Sequence, residues 1–176
     1  QRSEILAKLE IQADKLTKER VKQFDMMSGE IQKSLEFLNM PFVKLSLHIE
    51  DKEYSADGKD ELEFYIVTNK GENPKPLAKI ASGGELSRIM LAIKSALAEK
   101  QVTDTMIFDE IDAGVSGSAS LKIGKLLRQT AQNRQVFCVT HSPQIAAFAD
   151  THLYIEKQTN DNATFTQVRQ LDNKQR

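Results

Sequence analysis

The chain has 176 residues, the size of one domain and enough to bury roughly 70% of its unfolded surface if complete. Lys and Arg number 24 against 25 Asp and Glu, so net charge offers no electrostatic case for a nucleic-acid-binding surface. No apolar run approaches the roughly 18 residues of a membrane-spanning helix and no signal peptide is visible. The one cysteine, Cys138, sits in the apolar run Val136-Phe137-Cys138-Val139 and suits a small buried hydrophobe in a reducing compartment.

The first residue is Gln1 rather than methionine, which reads as a cut made inside a longer protein. Apolar residues at Ile5, Leu9, Leu16, Phe24, Met27, Ile31, Leu35 and Leu38 recur at helical spacing between Lys, Glu and Gln. Residues 1–40 are therefore expected as one amphipathic helix, either the end of a coiled-coil arm or a helix lying on its own domain, and 41–176 as the body. Pro41 is expected to end the helix. Val43, Leu45, Leu47 and Ile49 then alternate with polar residues as a half-buried strand, and Leu62, Phe64 and Ile66 repeat the pattern. The two should pair as a hairpin around the Asp57-Gly58 turn, with the charged stretch from Asp51 to Asp60 as a solvated loop and His48 facing solvent.

Beyond Pro74 and Pro76, helix and strand alternate: a helix from about Gly83 to Lys100, a strand Thr105 to Phe108, a helix from about Ser118 to Ala131 and a strand Val136 to Thr140. This order predicts an α/β fold with a parallel sheet covered on both faces. Leu153 to Glu156 and Phe165 to Val168 predict a closing hairpin.

Three places carry chemistry. Ser82 and Glu85 have capping-box spacing, and Gly83-Gly84 between them leave bare amides at a helix start, which suits a phosphate. Asp109-Glu110 end a buried strand, where ligands bind in open α/β sheets; the chemistry needs one carboxylate in a Mg²⁺ shell and one as base toward water. His141 ends the next strand in the same way. The loop from Asp112 to Gly117 is flexible in composition and able to reach across an interface. No Gly-x-x-x-x-Gly-Lys-Ser/Thr loop occurs; Gly117 with Gly124-Lys125 fails because six residues separate the glycines and Leu126 stands where a hydroxyl is required.

These strings together carry a resemblance. Ala81-Ser82-Gly83-Gly84-Glu85 resembles the signature motif of ATP-binding-cassette ATPases, Met106 to Glu110 their Walker B strand, Ile111-Asp112-Ala113-Gly114 their D-loop and Val139-Thr140-His141 their switch histidine. The longer strings Ser82 to Lys94, Phe108 to Gly117 and Val139 to Ala147 are similar to the RecN family of SMC-like bacterial DNA-repair ATPases, in the C-terminal lobe of the head. The resemblance implies ATP and Mg²⁺ as cofactors, with two heads sandwiching two nucleotides. Asp109 would bind the metal, Glu110 would be the general base, and His141 would contact the γ-phosphate. Ser82, Gly83, Gly84 and Glu85 would meet the nucleotide of the partner head, and Asp112 would carry the state of one site across the interface. Arg88 is left as a structural cation. The phosphate loop belongs to an N-terminal lobe outside this chain, so the fragment alone is expected to be inactive, working in the parent as a homodimer of heads on DNA in the bacterial cytoplasm near the nucleoid, without a membrane. A transporter nucleotide-binding subunit and a non-enzymatic dimerisation module are the other readings.

Overall fold

The computed structural model describes residues 1–80, 83–97, 104–115, 117–160, 163–172 and 174–175, in two compact units, Gln1–Val102 and Thr103–Arg176. Ser82, Lys100 and Ser116 lie outside the described residues.

The first unit is built on helix α1 (Arg2–Phe37), about 54 Å long at 1.5 Å per residue. Residues 1–12 are exposed throughout, with Ile5 and Ile11 bare, whereas Ala13, Phe24, Ile31 and Leu35 are buried against the rest of the unit. The helix stops before Pro41 acts: Asn39 turns left-handed (φ 63°), and the amides of Met40 and Asn39 donate to the carbonyls of Leu35 and Glu36. That is a Schellman closure with asparagine in the position glycine usually takes.

Strands β1 (Lys44–Ser55) and β2 (Gly58–Val67) form the expected hairpin, with Leu45 opposite Ile66, Leu47 opposite Phe64 and Ile49 opposite Leu62. The Asp51–Asp60 segment is not a solvated loop, because the strands run on to a turn of only Ala56-Asp57. The cause is the two-residue period: Asp60 shares the face of Leu62, Phe64 and Ile66, which lies against α1. Asp60 is consequently 4% exposed and accepts hydrogen bonds from the Thr17 hydroxyl (2.7 and 2.8 Å) and the Arg20 guanidinium (3.1 Å). Lys59 pairs with Asp14 (2.6 Å) and Phe24 meets Phe64 at 5.6 Å between ring centroids. Gly58, at φ 96°, sits where an added Cβ would lie 3.0 Å from the Leu16 side chain, so the turn needs glycine for conformation and for space. His48 is exposed as expected, pairing with Glu50 (2.9 Å) beside the Tyr65 ring.

Strand β3 (Lys75–Pro76) adds to β2, and helix α2 (Gly83–Leu97) packs on α1. Ile31, Leu35, Ile66, Ile89 and Leu91 are fully buried, each contributing about 1.5–3 kcal/mol of transfer free energy.

The second unit opens with β4 (Thr105–Phe108), followed by α3 (Ser118–Thr130) and β5 (Gln135–Cys138), which lies parallel to β4. One α-helical crossover between two parallel strands is the βαβ unit that the apolar runs predicted. Among the described residues of this unit the sheet is not covered on both faces. Met106 and Phe108 are buried, but Ile107, Phe137 and Val139 point the other way and are exposed. The short helix α4 (Pro143–Ala146) packs on α3, and β6 (Leu153–Asn160) pairs with β7 (Ala163–Gln170) in an exposed antiparallel ribbon longer than the predicted hairpin.

Candidate functional site

Parallel pairing sets two chain exits side by side. Phe108 is opposite Cys138, and the Val139 amide extends the ladder by donating to the Phe108 carbonyl (2.9 Å). Asp109-Glu110 and Thr140-His141 therefore leave neighbouring strands at the same C-terminal edge, the edge where α/β sheets hold ligands.

After Asp109 the chain turns sharply. Glu110 takes a left-handed conformation (φ 53°), which costs a residue with a Cβ about 1 kcal/mol and marks a position whose backbone is dictated by its surroundings. The turn is closed by the Ala113 amide on the Glu110 carbonyl and the Val115 amide on the Asp112 carbonyl, each 3.1 Å, with Gly114 at φ 69°. Asp109 and Glu110 are exposed; Ile111 and Asp112 dive inward, at 0% and 1% exposure.

Asp112 is the hub of the edge. Its Oδ2 accepts from the Thr140 hydroxyl (2.5 Å), the His141 amide (2.9 Å) and the Ser142 amide (2.9 Å), and lies 3.3 Å from His141 Nδ1. Its Oδ1 is buried and takes no hydrogen bond among the described residues. Burial by itself pushes this carboxyl up; the Thr140 hydroxyl and the two amides outweigh it and hold the group below the usual carboxylate range. The His141 side chain is 78% exposed. Thr140 and Ser142 were not singled out by sequence; the available signal was a pair of hydroxyl residues flanking the strand-end histidine. The neighbouring Cys138 thiol is pushed up to about 11, by burial first and then by the charges of Asp112 and Asp109.

Gly124, rejected above as part of a phosphate loop, has a packing role. It is buried in α3 where a Cβ would lie 2.3 Å from Phe148. In the first unit, α2 starts at Gly83, Gly84 is buried, and Glu85 and Arg88 are half-buried. Burial lowers the Arg88 guanidinium, and the Glu85 charge opposes that shift. Ser82, the proposed cap, lies outside the described residues.

Among the described residues no group of three or more His, Cys, Asp and Glu gathers to hold a metal ion. The donor set suits Mg²⁺ arriving with a phosphate ligand, since that ion is commonly held by one or two carboxylates, substrate oxygens and water. Among them, too, no helix is long and apolar enough to cross a membrane.

No family model matches the chain. It is 42% identical over 166 residues to the DNA repair protein RecN of Vibrio cholerae, covering 93% of this chain and 30% of that protein. To RecN of Bacillus subtilis it is 48% identical over 122 residues, 69% of this chain and 21% of that one. Among solved structures it resembles the Smc head domain with a coiled coil and joint from Pyrococcus yayanosii (TM-score 0.63, 19% identity, 88% of this chain and 28% of that one). It also resembles a chain from work on ATP-driven dimerisation and DNA-stimulated activation of SMC ATPases (TM-score 0.53, 21% identity, 88% and 89% covered). The transporter reading finds no support among these likenesses. With RecN proteins matching most of its length and SMC heads sharing its fold, the chain belongs to the RecN family, as a segment spanning about a fifth to a third of these two relatives.

Proposed function

We propose that this chain is the C-terminal lobe of the head of an SMC-like ATPase that acts in recombinational repair of DNA double-strand breaks, residues 1–40 being the end of its coiled-coil arm. The observation that carries the reading is the shared edge of β4 and β5, where two exposed carboxylates and an exposed imidazole leave adjacent parallel strands. Each alone is a common strand ending. Together they supply a metal-shell ligand, a base and a phosphate contact, the three parts phosphoryl transfer to water requires.

Bound ATP and Mg²⁺ supply the phosphoryl group and the ion that screens its charge. Asp109 is assigned to the ion's shell. Glu110, exposed on its left-handed turn, is assigned as the base that takes a proton from the attacking water. His141 is assigned to the γ-phosphate side. Gly83, Gly84 and Glu85, at the start of α2, are assigned together with Ser82 to the nucleotide of a second head, which makes a homodimer of heads the working form. The phosphate loop is assigned to the rest of the parent protein, with which the exposed Ile107, Phe137 and Val139 face is suited to pack. DNA would be engaged by the parent, in the bacterial cytoplasm and at the nucleoid, and the fragment alone should not turn over.

The test is ATP turnover by the full-length protein, with and without DNA, beside its Glu110→Gln variant. Loss of a general base should lower turnover by about 10²- to 10⁴-fold, and DNA should stimulate the unmodified protein. Turnover that survives the substitution would remove Glu110 as base. No turnover in either would favour a non-enzymatic dimerisation module.

A further inference from the structure

Asp112 is the one carboxylate of this edge that faces inward. A buried, unpaired carboxylate is costly, and this one is retained at 1% exposure because three donors from the loop after β5 converge on a single oxygen. The Thr140 hydroxyl also accepts from the Ser142 amide (3.0 Å), so Thr140, His141 and Ser142 are fastened to one another as well as to Asp112. His141 is the middle residue of the three. Its amide is pinned and its Nδ1 is drawn toward the carboxylate, while the rest of the ring stands out at 78% exposure.

We propose that Asp112 is the positioning residue for His141. It latches the loop after β5 to the loop after β4, and so fixes the reach of the imidazole toward the phosphate. This deepens the assignment of His141 and rests on the ATPase reading. It gives Asp112 a role within its own head, through the amides it holds, rather than one across an interface.

The experiment uses the full-length protein and its Asp112→Ala, Asp112→Asn and Thr140→Val variants, each alone and with His141→Ala, read by hydrogen exchange without nucleotide and by ATP turnover. Asp112→Ala should speed exchange at the His141 and Ser142 amides about 10- to 100-fold, the loss of bonds to a charged acceptor, with the β4 and β5 ladder amides unchanged. Asp112→Asn keeps an oxygen of the same reach and should recover most of that protection. Turnover should fall in Asp112→Ala and not fall further when that change is added to His141→Ala, because the two act as one unit. Thr140→Val should give a milder loss in the same direction, which keeps the test open should Asp112→Ala fail to fold. Exchange that rises across β4, β5 and α3 together, or turnover that drops additively with His141→Ala, would overturn the positioning role. Absence of ATP turnover in the unmodified full-length protein would sink the ATPase reading instead, and the exchange data would still decide whether the latch exists.

Discussion

Gly124→Ala isolates a single close contact. Carbon atoms pack best at about 3.5–4.0 Å, and an alanine Cβ here would lie 2.3, 2.8 and 3.1 Å from three atoms of the Phe148 ring. The nearest pair is about 1.2 Å inside the optimum, so the ring must shift as a body. Its backbone resists that shift: the Phe148 amide donates to the Ile145 carbonyl (3.0 Å), and Arg128 of α3 donates to the Phe148 carbonyl (3.5 Å) and pairs with Asp150. Overpacking of this severity belongs at the upper end of the usual range, about 3 kcal/mol. Replacing glycine by alanine inside a helix returns about 1 kcal/mol. The net cost is about 2 kcal/mol, a factor of about 30 in a local opening equilibrium. Hydrogen exchange in the full-length protein should show it as about 30-fold faster exchange at the protected amides of residues 145–149 that exchange through this opening. Gly124→Ala combined with Phe148→Leu should recover most of the loss, because the smaller side chain vacates the space. If Gly124→Ala slows exchange instead, as expected of an exposed helix glycine, the packing argument is wrong.

Two further outcomes follow from burial. Asp60→Ala removes the acceptor of the Arg20 guanidinium and leaves the Thr17 hydroxyl only the Ala13 carbonyl of its own helix (3.0 Å). Breaking a fully buried ion pair costs about 3–5 kcal/mol; Arg20 is 26% exposed, so about 2–3 kcal/mol is expected. Exchange protection of the β1–β2 ladder would measure it, with Thr17→Val losing about 1 kcal/mol, and a change below about 0.5 kcal/mol in Asp60→Ala would refute the anchor. Cys138 should alkylate about 100-fold more slowly at pH 8 than an ordinary thiol, since a group pushed up to about 11 holds that much less thiolate. Reactivity should rise about tenfold per pH unit and level off only near pH 11, and peptide mass spectrometry after timed iodoacetamide treatment reads the rate.

Much of this protein is determined by sequence alone, because the relevant information is local or periodic. The 3.6-residue stripe of 1–40 dictates a helix. The two-residue alternation at Val43–Ile49 and Leu62–Ile66 dictates a hairpin, and the alternation of apolar runs dictates a parallel βαβ unit. The chemistry-bearing residues were legible for a different reason: acids and a histidine directly after buried strands have only one edge at which to emerge.

What tertiary structure decided concerns partners far apart in the chain. Asp60 stood in a run of charges that read as solvated, and only the packing of α1 over β2 made it a buried acceptor 43 residues from Thr17. Asp112 stood in a flexible loop for which the resemblance implied a role across an interface, yet the parallel pairing of β4 with β5 brought it to Thr140, His141 and Ser142, 28 to 30 residues on. The covering of one sheet face and the exposure of the other were likewise undecided by strings such as Met106-Ile107-Phe108, whose residues are apolar on both sides. Hydrophobic patterning states which residues seek burial. Which buried polar groups then find one another depends on chain crossings, and those are set only when the elements pack.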